Sequence, residues 1–215
     1  MKLLFENWRK YLNEEGEEDT STIVQQAFEN TPEDDRTTTL NQRTPKHKSA
    51  AGSVFLETPT WDFIRDQDWV PYPHPAITSP AIGFKAPIPG ILGIADIKDS
   101  TVPDEIMFQP AHGGKAMTKK PNPETGEHEV LAEVVANIPE NVREVQHTTL
   151  LIGPSREDPK KLQVWTFFPG DPTPQLPEIT MRQIQEKYNT NETQIRGSKQ
   201  DAIDIGYGFV KHADI

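Results

Sequence analysis

In the opening segment MKLLFENWRKYL, Leu4, Trp8, Tyr11 and Leu12 recur at i, i+4, i+7 and i+8, with Glu6, Asn7, Arg9 and Lys10 on the other positions. This spacing predicts a short amphipathic helix. A dozen residues is marginal for a free helix in water, so it needs a surface to pack on. Two readings compete, a helix docked on its own domain and a detachable address peptide. The next stretch, NEEGEEDTST, is acidic and lacks large apolar side chains. Thr22 to Phe28 predict one or two helical turns before Asn30-Thr31-Pro32 stops them, and EDDRTTTLNQRTPKHKSAAGS has almost nothing to bury. The pattern therefore predicts a peptide at residues 1–14, a flexible acidic linker at 15–52, and a globular domain at 53–215.

From Ser53 onward the texture changes. SVFLE predicts a strand, and TPTWDFIRDQDW a capped helix with Trp61, Ile64 and Trp69 inward. VPYPHPAITSPAIGFKAPIPG carries prolines at 71, 73, 75, 80, 87 and 89. At that density proline removes ladder donors, so the segment is expected to wrap the surface in extended form. ILGIADIK predicts a strand. EVLAEVVAN (Glu129–Asn137), EVQHTTLLI (Glu144–Ile152) and LQVWTFF (Leu162–Phe168) are rich in β-branched and aromatic residues. The last two should form a hairpin across GPSREDPKK. LQVWTFF carries large side chains on both faces, which predicts a central, doubly covered strand. Thr180 caps MRQIQEKY with Gln183 as its capping-box partner, Ser198 caps KQDAIDI ahead of Gly206, and YGFVKH closes with a strand. Grouped strands with two late helices predict an α+β fold, a single domain around a central antiparallel sheet.

The hydrophobic fraction of 34%, with 20 Pro and 13 Gly in 215 residues, excludes a large enzyme cored throughout. There are no cysteines, hence no disulfides, thiolate metal sites or Cys nucleophiles. No segment reads as a membrane span or a signal peptide, so the expected location is a cytoplasm and no membrane partner is expected. The formal charge of −11 argues against broad coating of nucleic acid but not against a small phosphate site. Residues 1–70 hold 8 basic and 14 acidic side chains, net −6, against 14 and 19, net −5, over residues 71–215. P-loop, dinucleotide glycine, HExxH, GxSxG and EF-hand patterns are absent.

MKLLFENWRKYLNEE resembles the short amphipathic N-terminal peptides that direct internal proteins into the prohead of T-even-type tailed phages and their marine relatives. In that family the prohead protease cuts after a Leu/Ile-X-Glu tripeptide, which Leu12-Asn13-Glu14 matches; Glu15 stands where a small residue is more usual. The resemblance covers about 15 residues. It implies prohead or scaffold components as partners of residues 1–14, and a virion interior or host cytoplasm as the location.

Among the six histidines, His47 lies in the linker and His128 in a turn, while His74 reads as part of the proline wrap. His112-Gly113-Gly114-Lys115 is the most site-like tetrad, because glycines allow close backbone approach to an anion beside a titrating ring and an amine. Lys119 and Lys120 add local positive charge. His147 and Thr149 share one face of a predicted strand with Leu151, and Thr148 faces the other way with Leu150. Phe168-Pro169-Gly170-Asp171 predicts a type II turn from which Asp171 could orient a histidine at the sheet edge. A metal set from His112, His147 and Asp171 is the weaker option, and no metal or cofactor is expected.

These residues point first to a metal-independent ribonuclease or related phosphotransfer enzyme. One imidazole would deprotonate a ribose 2′-hydroxyl and a second protonate the leaving oxygen. Lys115 and backbone amides would stabilise the phosphate. The expected catalytic residues are His112, Lys115 and His147, with Thr149 and His212 behind them, and the expected phosphate ligands are Gly113, Gly114 and Lys119. In outline the fold is similar to the barnase–EndoU–colicin–RelE toxin nucleases, an analogy without a matched motif. The rival is a non-enzymatic phage internal or accessory protein that binds a protein partner. A hydrolase or transferase acting on a small phosphorylated ligand at the glycine loop comes third.

Overall fold

A computed structural model describes residues 17–43, 52–172 and 175–213. The expected peptide at 1–14, its Leu12-Asn13-Glu14 tripeptide and His47 lie outside the described residues. The chain is α+β. In order its elements are α1 (Glu17–Asn30), α2 (Glu33–Arg43), β1 (Val54–Phe55), α3 (Trp61–Arg65), β2 (Val70–Pro71), β3 (Ile82–Ala86), β4 (Gly90–Ile91) and β5 (Ile94–Asp96). There follow β6 (Glu105–Pro110), a 3-10 turn (Ala111–Gly114), β7 (Ala132–Ala136), α4 (Glu140–Arg143), β8 (Glu144–Val145), β9 (Thr148–Pro154) and β10 (Leu162–Pro169). The last elements are α5 (Met181–Tyr188), β11 (Ile195–Ser198), α6 (Lys199–Asp204) and β12 (Phe209–His212).

Where one domain around one sheet is expected, these elements form two compact units, the chain crossing between them near residues 92, 143 and 173. The first unit holds a four-stranded antiparallel sheet, ordered β10-β9-β3-β2, and a small sheet ordered β1-β4-β8. Within the expected linker at 15–52, the described residues 17–43 hold α1 and α2. Ile23, Val24, Ala27 and Phe28 form one stripe of α1 and are buried with Phe84, Leu150, Ile152 and Phe167 in the core. The stripe is short and interrupted by polar residues, so it becomes evident only once a sheet is present to receive it.

Correction also applies to β10, which lies at the edge of its sheet rather than at the centre. Its register shifts between Val164 and Thr166, which places Trp165 at a bulge and brings Val164 and Phe167 both into the core. Large residues on both faces therefore reflect a broken alternation rather than double cover. The edge is closed by α1: the Val164 amide donates to Thr31 Oγ1 at 3.0 Å, and Asn30 Nδ2 donates to Leu162 O at 3.2 Å. Thr31 in turn donates to Ala27 O at 2.6 Å, so one hydroxyl ends the helix and pairs the strand.

The proline-rich segment, expected to be a surface wrap throughout, is one only in part. Ile82–Ala86 is β3, an interior strand between β9 and β2, because its prolines fall outside those five residues and leave the ladder donors intact. Residues 72–81 lie over the sheet. Gly83 faces away from the core, and a Cβ there would stand 2.3 Å from Ile77 Cδ1 and 2.7 Å from Tyr72 O. Glycine at 83 is what lets the wrap lie on the strand.

The second unit is built on a five-stranded sheet ordered β11-β6-β7-β12-β5, antiparallel except for β12 beside β7. Ile106, Phe108, Val134 and Val210 face α5 and α6 across its core. Both late helices begin as their sequences predict: Thr180 and Gln183 form a reciprocal capping box, and Ser198 accepts from the Asp201 amide at 3.0 Å. Gly206 takes a positive φ of 100° just beyond α6. No described helix is long and apolar enough to cross a membrane.

Candidate functional site

Within the first unit, the β9–β10 hairpin brings His147 and Asp171 together. The ladder pairs Thr148 with Pro169, and the Gly170 amide extends it by donating to His147 O at 2.7 Å. Gly170 O accepts from Thr149 Oγ1, also at 2.7 Å. Gly170 has a φ of 80°, as the predicted turn requires, and a Cβ would meet Leu92 and Val145 at 3.3 Å. A doubly anchored glycine thus fixes the next residue, Asp171. Its Oδ1 lies 3.0 Å from His147 Nε2. The pair is open to solvent, with side chains 31% and 55% exposed for His147 and Asp171.

The wrap delivers the rest. Tyr72 follows β2, its carbonyl rests over Gly83, and its hydroxyl donates to the same Asp171 Oδ1. Its ring stands edge-on to His147 at 6.1 Å between centroids and 5.4 Å from the His74 ring. Lys85 on β3 pairs with Thr149 in the ladder and sets its ammonium 4.9 Å from the Tyr72 ring centroid. His74 Nδ1 accepts from the Ala76 amide at 3.2 Å, which leaves its Nε2–H pointing elsewhere.

These contacts set the protonation states. Burial works to raise the Asp171 pKa, but the Tyr72 hydroxyl, the charge and hydrogen bond of His147, and the charge of His74 outweigh it and hold the carboxyl below its ordinary value. Burial, reinforced by the bond to Asp171 and its charge, pushes the Tyr72 phenol up to about 12. Asp171 is therefore an anion and Tyr72 a permanent donor at neutral pH. A neutral His147 gives its proton to the carboxylate through Nε2, which leaves the Nδ1 lone pair as the base. Around the Tyr72 ring stand the Lys85 ammonium and the His74 imidazole.

The other expected residues lie elsewhere. Thr149 is fully buried, and its hydroxyl is spent on Gly170, so it positions the turn and cannot meet a substrate. His112, Gly113, Gly114, Lys115, Lys119 and His212 belong to the second unit. His112 and Gly113 are both left-handed, with φ of 51° and 65°, and His112 is exposed. The amides that follow the glycines are used internally: Lys115 N donates to His112 O at 3.4 Å and Ala116 N to Ala111 O at 3.3 Å. Partial burial and the Lys211 ammonium pull the His112 pKa down against the Glu133 carboxylate. Lys119 Nζ lies 3.4 Å from Gln175 Oε1, and His212 is half-buried on β12. His128, set aside in the sequence, bonds through Nδ1 to Thr118 O at 2.6 Å.

Sequence reasoning placed Asp171 behind a histidine correctly in kind but missed Tyr72, His74 and Lys85. All three fall in the segment expected to be a proline-rich wrap. A usable signal was the hairpin register, which puts residue 147 beside the 170–171 turn. Among the described residues no group of three or more His, Asp or Glu is arranged to hold a metal ion. No family model, curated protein or solved structure matches the chain.

Proposed function

We propose that the first unit is a metal-independent, ribonuclease-like phosphotransfer domain acting through His147. In this reading His147 Nδ1 takes the proton of a ribose 2′-hydroxyl, the 2′-oxygen attacks phosphorus, and the P–O5′ bond breaks. Lys85 neutralises the charge on the phosphate and returns a proton to the departing 5′-oxygen. His74 Nε2–H donates to a non-bridging oxygen. Asp171 holds the His147 tautomer and stabilises the imidazolium, and Tyr72 holds Asp171. The observation that carries the reading is the 3.0 Å His147–Asp171 bond, in a cluster where the Lys85 ammonium stands 4.9 Å from the centroid of the Tyr72 ring that bonds the same carboxylate. Residues 1–14 would act as the prohead address, so that the domain travels in the virion interior or works in the host cytoplasm.

A second reading, a non-enzymatic phage internal or accessory protein, draws support from a different place in the same unit. A groove of about 750 Å³ runs between Thr20, Val24, Arg65 and Val70, and Val70 and Phe63 are each 48% exposed. Such apolar exposure suits a protein partner.

Total RNA incubated with purified protein in EDTA tests the two. The first reading expects cleavage to 2′,3′-cyclic ends, lost by at least about 100-fold in His147→Ala and in Lys85→Ala, and unchanged in His112→Ala. Intact RNA with the wild-type protein would reject it in favour of the binding protein. Equal rates in wild type and His147→Ala would reject this site.

A further inference from the structure

Trp165 is an indole held in place but left uncovered. The β10 bulge pushes it out of the alternation, and it remains 40% exposed. Its Nε1–H donates to Pro154 O at 3.1 Å. The ring lies on Gly153, where a Cβ would sit 2.2 Å from Trp165 Cε2. A floor of backbone and a hydrogen bond at one edge fix the ring, and its other face meets solvent.

Its surroundings are basic. The hairpin loop next to it exposes Arg156, Lys160 and Lys161. Of the two acids in that loop, Asp158 turns back to accept from the Lys160 amide at 3.1 Å, and Glu157 is exposed. Gly153, Leu151, Thr149 and His147 alternate onto one face of the strand, so Trp165 stands on the face that carries the acid–base site. At roughly 3.3 Å per residue, the two are about 20 Å apart along the strand. A cleft of about 540 Å³ lies along β3 and the segment that covers it, lined by Tyr72, His74, Ile77, Ser79 and Ile82. It reaches from Tyr72, which touches Asp171, to Ile82, which pairs with Ile152 beside Gly153.

We propose that Trp165, with Arg156, Lys160 and Lys161, is a stacking subsite for a base of single-stranded RNA, several nucleotides from the phosphate at His147. This rests on the ribonuclease reading for the strand's identity. A rigid aromatic face beside cations is the arrangement that binds single strands with little sequence preference, because every base offers a π-face. Such a site grips long strands and is silent for a dinucleotide, which cannot span the distance.

Fluorescence anisotropy with a fluorescein-labelled, uncleavable 2′-O-methyl RNA of ten nucleotides, on the full chain, tests this directly. Trp165→Ala should weaken binding by roughly 5- to 150-fold, Trp165→Phe by much less, and Lys160→Ala/Lys161→Ala should flatten the salt dependence. Gly153→Ala, which dislodges the indole without removing it, should resemble Trp165→Ala. Cleavage of a dinucleotide should be unchanged in all of them. Ten-nucleotide binding that is equal in wild type and Trp165→Ala overturns the subsite, even where wild type cleaves RNA. Weakened binding in Trp165→Ala, with no cleavage by wild type, supports the subsite while rejecting the nuclease. A wild-type chain that binds no oligonucleotide overturns it.

Discussion

His147 Nε2 and Asp171 Oδ1 meet at 3.0 Å because the backbone between their strands is tied twice through Gly170, to His147 O and to Thr149 Oγ1. The pair is preset by the hairpin and does not depend on a mobile loop. Asp171→Asn keeps the shape but offers an amide that no longer favours one tautomer. The expected result is an RNA cleavage rate lower by about 100-fold or more, with only the modest drop in melting temperature that loss of the carboxylate's own contribution brings. Parallel rate and melting measurements check it. A proportionate loss of both would make Asp171 a structural residue.

The same carboxylate and its tyrosine give the first unit opposite pH limbs. The folded-state pKa of Asp171 is depressed, so its contribution to stability is present at neutral pH and lost as pH falls below the ordinary value of about 3.9. The Tyr72 value is raised to about 12, so its contribution is full below about 10 and lost as pH rises through 12. Urea midpoints across pH should show Asp171→Asn flattening the acid limb and Tyr72→Phe the alkaline one. Unaltered limbs in both variants would mean that the pair does not form in solution.

The legible parts of this chain were those whose signals are local. Thr180 with Gln183 and Ser198 with Asp201 place two helix starts within a turn of sequence, and both occur. Pro169-Gly170 marks the end of β10, where Gly170 takes a φ of 80°. What stayed hidden needed a partner to make sense. Phe28 and Ile23 have too short a stripe to read as a docked helix until an edge strand needs Thr31 to complete it. Trp165 disguises an edge strand as a central one through a bulge. His74 and Lys85 enter the site through their distance from the Tyr72 ring, a relation between β3 and a proline wrap that no spacing encodes.

Gly83→Ala tests the wrap. The added methyl meets the Ile77 side chain, which can move, and the Tyr72 carbonyl, which cannot move without lifting the segment that carries Tyr72 and His74. Destabilisation of about 1–3 kcal/mol is expected, together with faster proteolysis within residues 72–81. Cleavage activity should fall in step, since Tyr72 leaves Asp171. Wild-type stability would show that the wrap does not lie on β3.

Phe28→Ala tests whether α1 belongs to the fold. Phe28 is fully buried and its ring lies 4.9 Å from that of Trp61. Truncation in a filled core costs about 3–5 kcal/mol, so the denaturant midpoint should drop sharply. A chain in which residues 15–52 were only a linker would lose nothing, and that result would return α1 to the linker.

In the second unit, Lys211 Nζ stands 2.6 Å from Glu133 Oε2, with side chains only 14% and 6% exposed. Gln109 Nε2 donates to the other carboxylate oxygen at 3.1 Å. A buried pair is weak evidence of net stability, because both charges leave water to form it, yet removing one partner strands the other. Glu133→Leu should therefore cost about 3–5 kcal/mol. The double variant Glu133→Leu/Lys211→Met should recover most of that, since no uncompensated ammonium remains. Gln109 loses its acceptor in both, so that loss cancels in the comparison. His112 supplies a second readout, because Lys211 pulls its pKa down and Glu133 pushes it up. In an NMR titration Lys211→Met should move the ring upward, and Glu133→Leu alone should move it downward. Additive stability effects with an unmoved ring would mean that the two charges are solvated separately, and that the His112 loop does not sense them.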